Sequence, residues 1–275
     1  PLRLVGSEMC IRDRQNTSLR DSAFTFFDDL SSNELAIRPD ISQQIARIDQ
    51  AEESDKEQRY CYVGEVLKKR KDSFSQSRIT IKAGIEIFGG EDNKFEAISL
   101  LSDSMKIGNL TELTLSFGKT EILAEIIEPL NLNYNDGIIL NKIISSKSES
   151  DLSSWVKDRK VQKDLVNKLL TLIDCNGDLS IISKLKNIQT SDAHLSEIEN
   201  IWDFIEKETC FSPHIDLTDF PGFNYHDGLV FSAHSDKYGF SIANGGEYFS
   251  QTMSGKQKSA IGFDQDIIAM IKLKA

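Results

Sequence analysis

Cysteine is scarce: Cys10, Cys61, Cys175 and Cys210 are widely spaced among 275 residues, with no CxxC pair. That excludes a zinc ribbon or a thioredoxin-like motif, and makes reduced thiols in a cytoplasmic setting the expectation. Long apolar runs are missing too. The longest, within "NDGIILNKII", falls far short of the roughly 20 residues that cross a bilayer, so no membrane span is expected. Positive charge is in deficit, with 32 Lys and Arg against 43 Asp and Glu and a net charge of −11. Such a balance repels phosphate backbones and argues against a nucleic-acid partner. There is no Gly-rich phosphate loop and no Ser-His-Asp arrangement. His226 and His234 stand near each other without a third ligand, so no metal site is expected. "DCNGDLS" from Asp174 has its glycine too early for a calcium loop and Leu185 where an acid is needed, and reads as a turn between helices.

What is present suffices for a full core, since 39% of the chain is hydrophobic. The opening Pro1 to Arg14 resembles translated sequencing-adapter sequence and is expected to be non-native. Residues 15–130 read as the N-terminal part of an α+β core. "LSSNEL" separates two apolar runs as in a hairpin, and "DISQQIARI" reads as a short helix. In "SRITIKAGIEIFGG", Ile79, Ile81, Ala83, Ile85 and Ile87 alternate with Arg78, Thr80, Lys82, Gly84 and Glu86, so one strand face is expected in the core and the other is polar. A helix from Lys94 to Lys106, the strand "LTELTLSFGK" and a helix from Thr120 to Pro129 follow. Helical spacing then governs residues 131–208, an all-helical insertion, with Leu165, Leu169, Leu172 and Ile173 on one face and Leu195, Ile198, Ile201, Trp202 and Ile205 on another. Strands return over 209–275, where "GLVFSAHS" and "GFSIANGG" meet at the Asp236-Lys237-Tyr238 turn, "SAIGF" follows, and a last helix begins at Gln265.

Four segments taken in order carry a resemblance to the class II aminoacyl-tRNA synthetases, specifically the histidyl type and its regulatory paralogue. "LAIRPDISQQIARI" is similar to the Arg-Pro-acid-x-Thr element, and "RYCYVGEVLKK" with "GIEIFGG" to the second class-defining motif. "FPGFNYHDGLVF" and "IANGGEYFSQ" resemble the two histidine-branch signatures, and "SAIGFDQDI" the third motif. The resemblance implies an antiparallel sheet flanked by helices. It also implies a histidine pocket at Asp40, Ser42, Lys68, Lys82, Glu86, Tyr225, His226, Gly245, Gly246 and Tyr248. Asp40 and Glu86 would face an ammonium group and an imidazole, Tyr225, His226 and Tyr248 would surround the side chain, and Gly245-Gly246 would bring backbone close to the ligand. By residue type alone Glu86 reads as a solvated carboxylate, the tyrosines as core, and the glycines as a strand-end turn.

The departures from that family point to function. Adenylate formation needs arginines on the ATP phosphates. This chain has Lys68 where the second motif carries arginine and Pro221-Gly222 for Arg-Gly. It has Gly245-Gly246-Glu247-Tyr248-Phe249 for Gly-Gly-Arg-Tyr-Asp, and Ala269 at the third motif's closing arginine. Lys82 stands for a glutamine on the face of Glu86, where its charge is expected to repel an ammonium group. The family's first motif would lie before the segment in hand, and an anticodon-binding domain after the third motif is expected to be missing. The resemblance therefore implies a non-catalytic regulatory subunit, without cofactor or metal, for the first step of histidine biosynthesis. Its expected partner is the short-form catalytic subunit of ATP phosphoribosyltransferase, with self-association and histidine as effector. A divergent histidyl-tRNA synthetase or amino-acid-activating ligase, and a synthetase-like module with another partner, are the alternatives.

Overall fold

The computed structural model describes residues 8–10, 23–30, 32–52, 54, 56–69, 77–90, 92–218, 228–252 and 254–274. In chain order the elements are β1 (Glu8–Cys10), β2 (Phe24–Asp28), β3 (Asn33–Ile37), α1 (Ser42–Glu52), β4 (Gln58–Leu67), β5 (Ile79–Phe88), α2 (Lys94–Ile107), β6 (Leu113–Lys119) and α3 (Thr120–Ile127). A 3-10 turn (Glu128–Leu130) leads to α4 (Tyr134–Ser145), α5 (Glu149–Asp158), α6 (Lys163–Ile173), β7 (Asn176–Gly177), α7 (Ile181–Asn187) and α8 (Asp192–Glu208). The chain continues through β8 (Phe211–Asp216), β9 (Leu229–Ser235), β10 (Tyr238–Gln251), β11 (Gln257–Asp266) and α9 (Ile267–Lys274). Two compact units result, Pro1–Asn93 with Phe249–Ala275, and Lys94–Tyr248.

In the first unit β2 and β3 form the hairpin expected around "LSSNEL", and β1 pairs with β3 from Glu8↔Ile37 to Cys10↔Leu35. That edge strand lies inside the stretch expected to be non-native, and an open sheet edge accepts any extended segment that can present its backbone. β4 and β5 pair antiparallel from Gln58↔Phe88 to Leu67↔Ile79, and β11 takes the other edge of β5 from Ala260↔Phe88 to Asp266↔Lys82. The faces of β5 are a correction. Ile87 is buried as expected, at 1% exposure, but Ile79 is 53% exposed and Ile81, Ala83 and Ile85 are half-buried, whereas Lys82 and Glu86 on the polar face are 8% and 2% exposed. Alternation showed that the faces differ, but tertiary packing decides which is covered. α1 is fastened across this unit by Lys258, whose Nζ donates to Asp49 Oδ1 at 2.8 Å and to Ser54 O at 3.1 Å.

In the second unit β9 pairs antiparallel with β6 and with β10, whereas β8 runs parallel to β6 from Leu113↔Phe211 to Phe117↔Ile215. The sheet is therefore mixed rather than purely antiparallel. A parallel neighbour requires a long crossover, and α3 to α8 supply it. The helical stripes fall as the 3.6-residue period requires: Leu169, Leu172 and Ile173 of α6 and Leu195, Ile198, Ile201 and Ile205 of α8 are buried. Asp174 to Ser180 joins α6 to α7 as a turn holding the two-residue β7. The last helix begins at Ile267, two residues later than expected, because β11 pairs through Asp266. Among the described residues no helix is long and apolar enough to cross a membrane.

Candidate functional site

The polar faces of β4, β5 and β11 form a floor on which long side chains lie over glycines. Tyr62↔Gly84, Gly64↔Lys82, Glu86↔Gly262 and Gly84↔Asp264 are cross-strand neighbours. A β-carbon at Gly262 would stand 2.0 Å from Glu86 Oε2, one at Gly84 2.5 Å from Tyr62 Oη, and one at Gly64 2.4 Å from Arg38 Nη2. Each glycine thus makes room for one polar side chain to lie flat. Arg38 donates from Nε to Glu65 O at 2.8 Å and from Nη1 to Gln44 Oε1 at 3.0 Å, which joins the Arg-Pro-Asp corner to β4 and α1. Asp40 Oδ1 accepts the backbone N–H of Ser42 at 3.2 Å, and the Ser42 hydroxyl lies 3.3 Å from that of Tyr62.

Lys82 does not stand as a free charge beside Glu86: its Nζ donates to Asp264 Oδ1 at 2.7 Å. Burial alone would push that ammonium down, but Asp264, Asp266 and Asp40 outweigh it and raise it. Burial, then the nearby Asp264 carboxylate, holds Asp40 above its ordinary value, with the N–H groups of Ser42 and Ile41 pulling part of the way back. The Tyr62 phenol is raised by burial and by the charges of Glu86, Asp264 and Asp40, so it stays protonated and able to donate. With Asp40, Asp264 and Asp266 around Lys82, Glu86 farther along the same face of β5, and Arg38 engaged at the edge, this surface suits a small organic cation. The solvated reading of Glu86 fails at 2% exposure.

The other expected residues divide. Lys68 follows β4, where its backbone N–H bonds Arg78 O at 3.0 Å, and among the described residues no polar contact ties its side chain to the acids. Gly245 and Gly246 lie within β10, opposite Phe231 and Val230, rather than at a strand end. Tyr248 is buried in the same strand. Tyr225 and His226, with Pro221-Gly222, fall outside the described residues. Glu247, where the signature has arginine, accepts the Leu229 N–H at 2.7 Å, and a β-carbon on Gly228 would stand 2.3 Å from its Oε2. Burial raises its carboxyl, against the pull of Leu229 N–H and of Lys94. Nearby Lys119 bonds Glu197 and lies 3.5 Å from Glu121, while Lys94 bonds the other oxygen of Glu197. Ala269 is 1% exposed, its N–H held by Asp266 Oδ1 at 3.0 Å, so no long cation fits where the third motif ends in arginine. Asp266 thus caps α9 as well as facing Lys82.

A family model described as histidyl-tRNA synthetase matches residues 7–270. The chain belongs to the histidyl-tRNA synthetase family. Within that family it is 26% identical to a curated protein of Thioalkalivibrio sulfidiphilus named ATP phosphoribosyltransferase regulatory subunit, over 91% of this chain and 66% of that one. It therefore spans just under two-thirds of that relative's length. Among solved structures it resembles an ATP phosphoribosyltransferase regulatory subunit/histidyl-tRNA synthetase from Bacillus halodurans (TM-score 0.82, 19% identity, 98% of this chain, 73% of that one). It also resembles a chain of the ATP phosphoribosyl transferase (HisG:HisZ) complex from Thermotoga maritima (TM-score 0.69, 15% identity, 95% and 89%). The fold expected from the motifs is the family's fold.

Tyr62, Asp264 and the three floor glycines were not singled out from the sequence. A signal existed for some of them. Gly262, Asp264 and Asp266 alternate on one face of "SAIGFDQDI", as Lys82, Gly84 and Glu86 do on β5, and two strands with small and charged residues in the same period suggest a shared polar surface.

Proposed function

We propose that this chain is a non-catalytic regulatory subunit of ATP phosphoribosyltransferase, paired with a short-form catalytic subunit that performs the first step of histidine biosynthesis. The name of its curated relatives supports this reading, and the observation that carries it is Glu247. At a position where an adenylate-forming site needs a cation, a carboxylate is tied to the Leu229 N–H, an electrostatic inversion that opposes binding of ATP phosphates. The acids of the floor meanwhile suit the ammonium group and imidazole of histidine, with Lys82 already neutralised by Asp264. Histidine held there would regulate the complex if it bound one of two assembly states more tightly, which is all that feedback requires. Self-association is served by the opposite face of β4 and β5, where Val63 is 71% and Ile79 53% exposed.

Light scattering on a mixture with a short-form catalytic subunit tests the pairing: a hetero-oligomer is expected, and two species eluting separately contradict it. Family membership keeps a divergent histidyl-tRNA synthetase as the second reading. A histidine-dependent ATP–pyrophosphate exchange assay separates the two, with no exchange expected here.

A further inference from the structure

Two buried lysines of the first unit are held in different ways. Lys258 Nζ makes three bonds to protein acceptors, Asp49 Oδ1 at 2.8 Å, Asp49 Oδ2 at 3.1 Å and Ser54 O at 3.1 Å. They tie α1 to β11, a helix and a strand that no backbone ladder joins. Lys82 is 8% exposed, yet among the described residues its Nζ makes a single bond, to Asp264 Oδ1 at 2.7 Å. The strands that carry this pair, β5 and β11, are already joined by a ladder from Ala260↔Phe88 to Asp266↔Lys82. The ion pair therefore connects nothing that the backbone has not connected, and two N–H groups of a buried ammonium are left without a side-chain or backbone acceptor.

The charges around Lys82 do not balance. Asp264, Asp266 and Asp40 all act on its ammonium, so three carboxylates meet one cation, while Arg38 is turned to Glu65 O and Gln44 Oε1. The Asp264 side chain is 24% exposed, so the pair is reached from solvent. A lysine held by one bond, on a stem of four methylenes, can swing its charge out to water while the strands stay paired. While it stays in place it is an ammonium tethered beside the acids, at an effective concentration on the order of millimolar or above.

We infer that Lys82 is a built-in occupant of the ammonium subsite and sets its specificity: an amine binds this floor by displacing Lys82 from Asp264. The inference rests on the reading of the floor as an amine site. A bare amine loses to the tethered one, and a ligand that also bonds elsewhere on the floor, as an imidazole would at Glu86, wins. Calorimetry tests this with ethylammonium as the bare amine and with histidine, on the parent, on Lys82→Gln and on Lys82→Gln with Asp264→Asn. Lys82→Gln should bind both ligands about tenfold more tightly than the parent, and the double variant should lose both gains. Equal affinity of parent and Lys82→Gln for ethylammonium, or a gain that survives Asp264→Asn, would overturn the inference. A measurement on the unaltered chain covers a variant that folds poorly. With isotope-labelled lysine, the Lys82 ε-carbon resonance, assigned with Lys82→Arg, should move to the position of exposed lysines as histidine saturates; bound histidine that leaves it in place overturns the inference as well. Capture of ethylammonium by Lys82→Gln, with histidine bound by no form, would uphold the displaceable lysine and sink the histidine reading.

Discussion

Two clusters of buried charge, one in each unit, differ in what they leave over. In the first unit Asp40, Asp264 and Asp266 surround Lys82, Glu86 lies farther along the same face, and Gly84 and Gly262 make room for Tyr62 and Glu86 to lie flat on the sheet. In the second, Lys94 and Lys119 share Glu197 between them, and Glu247 is closed onto the Leu229 N–H. An excess of one sign on a polar surface is suited to a ligand of the opposite sign, while a cluster that satisfies itself holds elements together. On the proposed reading the amino-acid side of the family's site falls on the first cluster, and Glu247, one of its phosphate-side positions, on the second.

If that contrast holds, substitutions in the two clusters separate stability from binding. The largest effect belongs to Lys119→Met: leaving Glu197 and Glu121 without their buried partner should cost about 3 kcal/mol in urea unfolding while histidine affinity stays put. Gly262→Ala comes next, since its methyl would meet Glu86 Oε2 at 2.0 Å and Ile85 O at 2.5 Å. It should lower stability by about 1–3 kcal/mol and abolish calorimetric histidine binding. Glu86→Gln, which keeps size and polarity, should leave the melting temperature nearly unchanged and weaken histidine about tenfold. Were Lys119→Met and Glu86→Gln to alter histidine affinity equally, the two clusters would not have different jobs.

The smallest effect is a pH signature. Asp40 is held above its ordinary 3.8, so the folded state binds that proton more tightly than the unfolded chain, and the resulting stability is lost as pH rises through the raised value. Asp40→Asn should therefore be more stable than the parent at pH 7, with the difference shrinking on acidification, while histidine binds more weakly. Glu197 and Asp216 in the second unit are lowered by their lysines despite burial, so their contribution is full at neutral pH and lost only below the ordinary carboxylate range. Denaturant titrations between about pH 3 and pH 7 read both slopes.

The motif order made the family's fold legible, because short segments carry those signals. Periodicity also placed most helices and strands. What it could not reach depends on distant partners. Lys82 looked repulsive because Asp264, which neutralises it, lies 182 residues away. The burial of β5 depends on packing that alternation does not encode: its polar face is covered at Lys82 and Glu86, and its isoleucine face is covered at Ile87 but open at Ile79. The parallel pairing of β6 with β8 spans the whole helical crossover and leaves no local trace.

The most direct measurement is the activity of a short-form ATP phosphoribosyltransferase catalytic subunit titrated with this chain, with and without histidine. Turnover should rise saturably as the chain is added, and histidine should suppress it in the parent but about tenfold less sensitively with Glu86→Gln. Turnover that stays flat across the titration, or histidine sensitivity indifferent to Glu86, would contradict it.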